Sequence, residues 1–318
     1  MSAFPLIAPL ASGTGIRLTK TAMHANIEDA ATQTASINAY LARFPQVDLV
    51  FPIMDTSVEA RAVGCPYEFK DTVPVITTHT CADVDAVEAL PIPDPFVTEC
   101  MRVNIAVVQG LAAAPRGVGA FCLGPVTLAA HLMGITALVR IAMKQPEVFE
   151  RVLDHCVLII RPYARALVDA GAGTLIVLEP QVNAFSPRIY ERSIQAALED
   201  MASTLPGPVL HVCGDTNPHL AAFARTAYFR GLSLAAKVDF RAALDAHPGL
   251  KTKTLIGNID PVSVMLNGTP ELVREKVSNL LDGMRGEDFI LSSGCDLVPD
   301  TPLSNVEMLI DTALRYRS

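Results

Sequence analysis

Eight times along this chain a short apolar run is followed by a stretch of helical periodicity, and that repetition constrains the fold more than any other feature. The runs are Phe4–Ala8, Asp48–Pro52, Gly117–Cys122, Thr174–Leu178, Val209–Val212, Arg230–Leu234, Thr254–Gly257 and Phe289–Ser293. Helical stretches such as Glu147–Ala170, Pro187–Thr204, Pro218–Ala227 and Thr269–Met284 lie between them. The last opens on Thr-Pro-Glu, a favourable start because a first-turn proline lacks only a hydrogen bond the helix does not make. Alternation carried to the end predicts a parallel sheet with crossover helices. Eight strands close an α/β fold of the (β/α)8 TIM-barrel type, whereas a doubly wound sheet has fewer strands and a Gly-rich first turn. No G-x-G-x-x-G follows the first run.

The segment from 65 to 115 separates the second run from the third and reads as an insertion of loop and helices near the N-terminus. Its prolines, Pro91, Pro93 and Pro95, mark a rigid turn rather than a linker. The expectation is one domain over residues 1–318. Half the residues are hydrophobic and 18% are charged, enough apolar material for a single large core. The net charge of −8 is spread along the chain, which argues against a nucleic-acid partner. No run reaches the roughly 18 apolar residues that span a bilayer, and Met-Ser-Ala-Phe-Pro does not open a signal peptide. A cytoplasmic protein with no membrane partner is expected; a homodimer is left open. The seven cysteines, at 65, 81, 100, 122, 156, 213 and 295, are odd in number in a chain that needs no disulfide staples, so they read as reduced thiols.

Chemistry concentrates in His211-Val212-Cys213-Gly214-Asp215, which continues directly from an apolar run. In an extended segment residues i and i+2 point the same way, so His211 and Cys213 can face one ion. Cys295, in Ser293-Gly294-Cys295-Asp296, follows the eighth strand. The C-terminal ends of the fifth and eighth strands of a barrel open onto one face, where active sites sit. Two thiolates and one imidazole suit Zn²⁺ and leave a fourth position open, the pattern of a catalytic site. Glu179, at the end of the fourth strand, either fills that position at rest or lines the barrel mouth. Asp55, Asn258 and Asp260 lie at strand ends, where they either hold substrate or cofactor or, for Asn258 and Asp260, cap the helix beginning at Pro261. Asp296 either backs His211 or closes the loop after the strand. Leu132, Met133 and Ile135 read as core, and so do Cys65, Cys81, Cys100, Cys122 and Cys156. His24, His131, His155 and His219 lie on helical stretches and read as core or surface; His79 receives no role.

On these motifs the chain resembles the uroporphyrinogen decarboxylase superfamily along nearly its whole length, and within it the methylcobamide:coenzyme M methyltransferase branch. The segments that carry the resemblance are Thr56-Ser57-Val58-Glu59-Ala60 with Gly64-Cys65, Gly124-Pro125-Val126-Thr127-Leu128-Ala129, the His211–Asp215 motif, Gly257-Asn258-Ile259-Asp260-Pro261 and Ser293–Asp296. The His-x-Cys pair with a distant Cys points to the branch, while Gly-Pro and Gly-Asn-x-Asp-Pro mark the superfamily. The resemblance implies a zinc-dependent methyltransferase that binds a small thiol such as coenzyme M. A free thiol has a pKa near ~8.5 and is deprotonated by coordination. The resulting thiolate attacks the methyl group of a methyl-Co(III) corrinoid and leaves Co(I). That methylcobamide is expected on a separate corrinoid protein. Asp245-Ala246-His247-Pro248-Gly249 falls one residue short of the D-x-H-x-x-G corrinoid motif and reads as a Pro-Gly terminator.

The decarboxylases use an Arg-rich N-terminal loop to pair with substrate carboxylates. Here the loop is Pro9-Leu10-Ala11-Ser12-Gly13-Thr14-Gly15-Ile16-Arg17, with a single Arg, which disfavours a polycarboxylate tetrapyrrole. A tetrahydrofolate-type pterin acceptor, a decarboxylase-like lyase and a non-catalytic zinc- or corrinoid-binding protein are the alternatives.

Overall fold

Val209–Val212 and Gly231–Leu234 are buried at every residue, as befits strands covered by helices on one face and packed against one another on the other. The computed structural model describes residues 5–70, 73–113 and 116–317. Its eight-stranded sheet consists of β1 (Leu6–Ile7), β2 (Leu49–Val50), β3 (Gly117–Leu123), β4 (Thr174–Leu178), β5 (Val209–Val212), β6 (Gly231–Leu234), β7 (Thr254–Ile259) and β8 (Phe289–Ser293). All paired neighbours are parallel, in the order β1-β8-β7-β6-β5-β4-β3-β2. These are the eight expected strands; Phe4, placed in the first of them by its apolar character, lies outside the described residues.

The ring closes between β1 and β2 with little ladder. Asp48 N–H donates to the Ile7 carbonyl at 2.9 Å, and Ile7 N–H donates to Asp48 Oδ2 at 2.8 Å. One carboxylate thus does what a backbone carbonyl does elsewhere in the barrel. Arg317, at the end of the C-terminal helix Leu303–Arg317, pairs with the same Asp48 oxygen and donates to Pro5 O at 2.9 Å. The two ends of the chain are thereby fastened to the seam.

Parallel register fixes the height of every inward side chain. Leu178 pairs with His211, His211 with Ser233, and Ser233 with Ile256. Partners in register share a face because side chains alternate along a strand. One level above, Glu179 N–H donates to His211 O at 2.8 Å and marks where β4 and β5 end together.

Helices Pro146–Asp169 and Pro270–Gly283 begin on proline, the second capped by Thr269. Pro187–Ser203 is helical throughout with a wider turn over Tyr190–Ile194. The expected helix Pro218–Ala227 shrinks to a tight turn at Asn217–His219 and Leu220–Phe223. The insertion holds helices Val84–Glu88 and Glu99–Ala112 as expected, but also an antiparallel ribbon of Tyr67–Phe69 with Pro74–Ile76. Three-residue strands are too short to show a period of two, so the reading of this segment as loop and helices alone is corrected. Among the described residues no single helix is long and apolar enough to cross a membrane.

Replacing Asp48 with Ala removes the acceptor of Ile7 N–H and the partner of Arg317. Unfolding free energy from urea titration is expected to fall by about 1–3 kcal/mol, with Asp48→Asn recovering part of it through its amide oxygen. An unchanged midpoint in Asp48→Ala would show that the seam does not depend on this carboxylate.

Candidate metal centre

His211 is the third residue of β5 and only 1% exposed. Cys213 follows the strand directly, and its carbonyl accepts a hydrogen bond from Asn183 Nδ2, which ties the loop after β4 to the loop after β5. Cys295 comes from the loop after β8, where Gly294 packs against the Ala235–Ala236 backbone. A Cβ on Gly294 would lie 2.9 Å from Ala236 N, so only glycine lets this loop approach closely enough to carry Cys295 inward.

The three ligand atoms converge. His211 Nε2 is 2.9 Å from Cys213 Sγ, the two sulfurs are 3.2 Å apart, and Cys295 Sγ is 3.9 Å from Nε2. Two ligands of one zinc ion can be no farther apart than the sum of their bonds, ~4.6 Å for two sulfurs and ~4.4 Å for sulfur and nitrogen. All three pairs meet that condition, and the donor set of two soft thiolates and an imidazole suits the ion. Among the described residues this is the one group of three or more His, Cys, Asp or Glu side chains arranged to hold a metal.

The two sulfurs lie within hydrogen-bond distance of one another. A hydrogen bond from Cys213, aided by His211, holds the Cys295 thiol below the usual range despite burial. The same contact, with burial, pushes Cys213 up.

The other sequence-predicted residues are placed as follows. Both carboxylate oxygens of Glu179 face the first turn of helix Pro125–Met133, accepting from Val126 N–H and Thr127 N–H at 2.8 Å each and from the Thr127 hydroxyl at 2.5 Å. Gly124 makes room for it, since a Cβ there would lie 2.4 Å from the Glu179 carboxyl carbon. Burial pushes the Glu179 carboxyl up to about 7, opposed by the hydrogen bonds from Thr127 and Val126. Asp296 is partly exposed beside Cys295; desolvation and that neighbour push its carboxyl well above the usual range. The Nδ1 atom of His211 meets Ser233 Oγ at 2.9 Å, so of the two readings of Asp296 the one that backs His211 is not the arrangement seen.

Asp55 accepts from Ser57 N–H at 2.8 Å, from the Ser57 hydroxyl at 2.6 Å and from Arg61 at 3.2 Å. Asn258 donates to Ala235 O at 3.2 Å and Val238 O at 2.6 Å, bracing the loop after β6. Asp260 accepts from Val262 N–H at 2.9 Å and Ser263 N–H at 2.6 Å, as a cap of the turn beginning at Pro261. His247 ends helix Phe240–Ala246, which leads back to the start of β7, at the end of the barrel opposite the trio. Cys65, Cys81, Cys100, Cys122 and Cys156 are buried and unbridged. Leu132 and Met133 are core, and Ile135 packs against it.

Sequence reasoning missed Ser233, Asn183 and Glu59. Ser233 left a trace as the lone hydroxyl in Gly-Leu-Ser-Leu. Glu59 is buried, and its Oε1 accepts from Leu123 N–H at 2.7 Å. A separate cavity of about 740 Å³ opens at the other end of the barrel, lined by strand starts such as Thr174, Val209, Thr254 and Phe289. It contains none of the trio, so the ligand chemistry rather than cavity size locates the candidate site.

Comparison with known proteins agrees with this architecture. The family profile described as uroporphyrinogen decarboxylase (URO-D) matches residues 19–316. The chain belongs to the uroporphyrinogen decarboxylase family. It is similar to the methylcobamide:CoM methyltransferase MtbA of Methanosarcina acetivorans, 32% identical over 201 residues that cover 61% of this chain and 57% of that protein. The match thus spans little more than half the length of that relative. A uroporphyrinogen decarboxylase of Prochlorococcus marinus (strain MIT 9303) is 27% identical over 287 residues, 84% of this chain and 78% of that one. Among solved structures, a methyltransferase from Methanosarcina mazei superposes with a TM-score of 0.89 at 22% identity, covering 100% of this family member and 95% of that chain. At that identity the likeness shows the shared barrel.

The Glu59 carboxyl is pushed up to about 8 by burial, against the hydrogen bond from Leu123 N–H. The folded state therefore holds a proton that the unfolded chain releases near its ordinary value of 4.5. This contribution is fully present below that value and is lost as pH rises through 8, with a slope of at most about 1.4 kcal/mol per pH unit. Urea titrations from pH 5 to 9 are expected to show a shallower decline in Glu59→Gln than in the wild-type protein. Equal slopes would mean that Glu59 is ionised in the fold.

Proposed function

We propose that this family member is a zinc-dependent methyltransferase that moves a methyl group from a cobamide, carried by a separate corrinoid protein, to a small thiol such as coenzyme M. The observation that carries the reading is the convergence of His211 Nε2, Cys213 Sγ and Cys295 Sγ, all within 4.8 Å of one another at the ends of two distant strands. The name of the methylcobamide:CoM methyltransferase relative supports the same chemistry.

His211, Cys213 and Cys295 would hold the ion. When bound there, zinc supplies Lewis acidity that deprotonates the acceptor thiol near neutral pH while leaving its sulfur nucleophilic. The chain's own residues prepare that role. Cys213 and Cys295 contribute anionic sulfur, which offsets the cation's charge and keeps electron density on an incoming sulfur. His211 contributes a neutral donor from a buried strand, where it cannot swing away. Asn183 fixes the Cys213 carbonyl, and the close packing of Gly294 on Ala236 fixes the approach of Cys295. Three protein donors would leave one position for substrate, as in catalytic zinc sites.

Thiol methylation is favoured over decarboxylation by the loop after β1. Its single guanidinium, Arg17, donates to Asp300 O at 3.2 Å and Thr301 O at 3.4 Å, and the residue is exposed on the short helix Gly15–Thr19 with no second Arg in the loop.

Purified wild-type protein is expected to contain about one zinc per chain and to methylate coenzyme M from methylcobalamin. Cys213→Ala is expected to lose the metal and at least ~100-fold of that activity. Full activity in a metal-free Cys213→Ala protein would overturn the reading, and turnover with tetrahydrofolate but with no thiol would replace it with the pterin alternative.

A further inference from the structure

We infer that Ser233 is the positioning residue that decides which ring nitrogen of His211 faces the metal, and that its hydroxyl serves both tautomers of that ring. The inference rests on the metal-binding reading of the trio.

Ser233 is 0% exposed, in the middle of a strand whose other residues are Gly231, Leu232 and Leu234. A buried hydroxyl without a partner is unfavourable, and an apolar residue suits such a strand better. Its partner is His211 Nδ1, at 2.9 Å. The contact is built into the barrel, because His211 and Ser233 are register partners on β5 and β6 and share a face. Side-chain rotation therefore cannot easily break it.

The two ring nitrogens have opposite duties. Nε2 faces the sulfurs, 2.9 Å from Cys213 Sγ. With no cation bound, the favourable arrangement puts the ring proton on Nε2, donating to the sulfur, and Nδ1 accepts from the Ser233 hydroxyl. A metal on Nε2 needs the lone pair there, so the single ring proton must reside on Nδ1, and Ser233 Oγ accepts it. With a cation held at Nε2 the single ring proton would sit on Nδ1 in place of Nε2, with no net change in the number of protons on the ring. A hydroxyl satisfies both states by turning about its C–O bond. A carboxylate would accept only, and alanine would do neither.

The test measures zinc affinity by competition with a chromophoric chelator for wild type, Ser233→Ala and Ser233→Thr, together with the visible spectrum of the Co²⁺-loaded proteins. Ser233→Ala is expected to weaken zinc binding by about 10–100-fold and to alter the Co²⁺ spectrum. Ser233→Thr, which keeps the hydroxyl, is expected to restore both. Nitrogen-15 spectra of zinc-loaded wild type are expected to show His211 protonated at Nδ1, a readout that needs no variant to fold. Ser233→Ala with wild-type affinity and spectrum, or a zinc-loaded His211 protonated at Nε2, would overturn the inference alone. Wild type that binds no zinc would overturn it together with the metal-centre reading beneath it.

Discussion

Parallel pairing around a ring that closes on itself is the constraint from which the candidate site follows. Once β4, β5 and β6 are locked in register, Leu178, His211 and Ser233 must stand side by side at one height. Once the ring closes through Asp48 and Ile7, the loop after β8 must come back to the same mouth as the loop after β5. Cys213 and Cys295 are 82 residues apart along the chain, and their sulfurs lie 3.2 Å apart because the ring returns one to the other.

Burial then assigns roles to the polar groups that the ring encloses. Glu59 and Glu179 both turn their carboxyl groups onto the segment from Leu123 to Thr127, the first holding the end of β3 and the second the first turn of the helix that follows. This accounts for the Gly124-Pro125 pair: glycine admits the Glu179 carboxyl and proline starts the helix. Asp55, Asn258 and Asp260 are likewise committed to backbone or to Arg61. Against that background of internally satisfied polar groups, the two partly exposed sulfurs and the imidazole beside them stand out as a set directed at a ligand.

The eight strands were legible because a strand buried on both faces must be written in apolar residues, and seven of the expected runs could be compared over their full length with what folded. The ribbon of Tyr67–Phe69 and Pro74–Ile76 was not legible, because three residues carry no period. That His211, Cys213 and Cys295 come together was foreseeable from the i, i+2 spacing at the end of the fifth strand and from the place of Cys295 after the eighth. The roles of the carboxylates were not. A sequence shows that Glu179 follows an apolar run, but not that the nearest donors to its oxygens are the amides of a neighbouring helix.

The sequence by itself determined the alternation of strand and helix, and hence the barrel, because hydrophobic periodicity is a local property of neighbouring residues. It also supplied the candidate ligand types, since soft sulfur and imidazole carry their chemistry wherever they fold. Only the tertiary structure decided that Ser233, rather than Asp296, meets His211 Nδ1, and that Glu179 turns toward a helix amide. Those outcomes depend on inter-strand register and on close packing at Gly124 and Gly294, which arise from contacts between residues far apart in the chain.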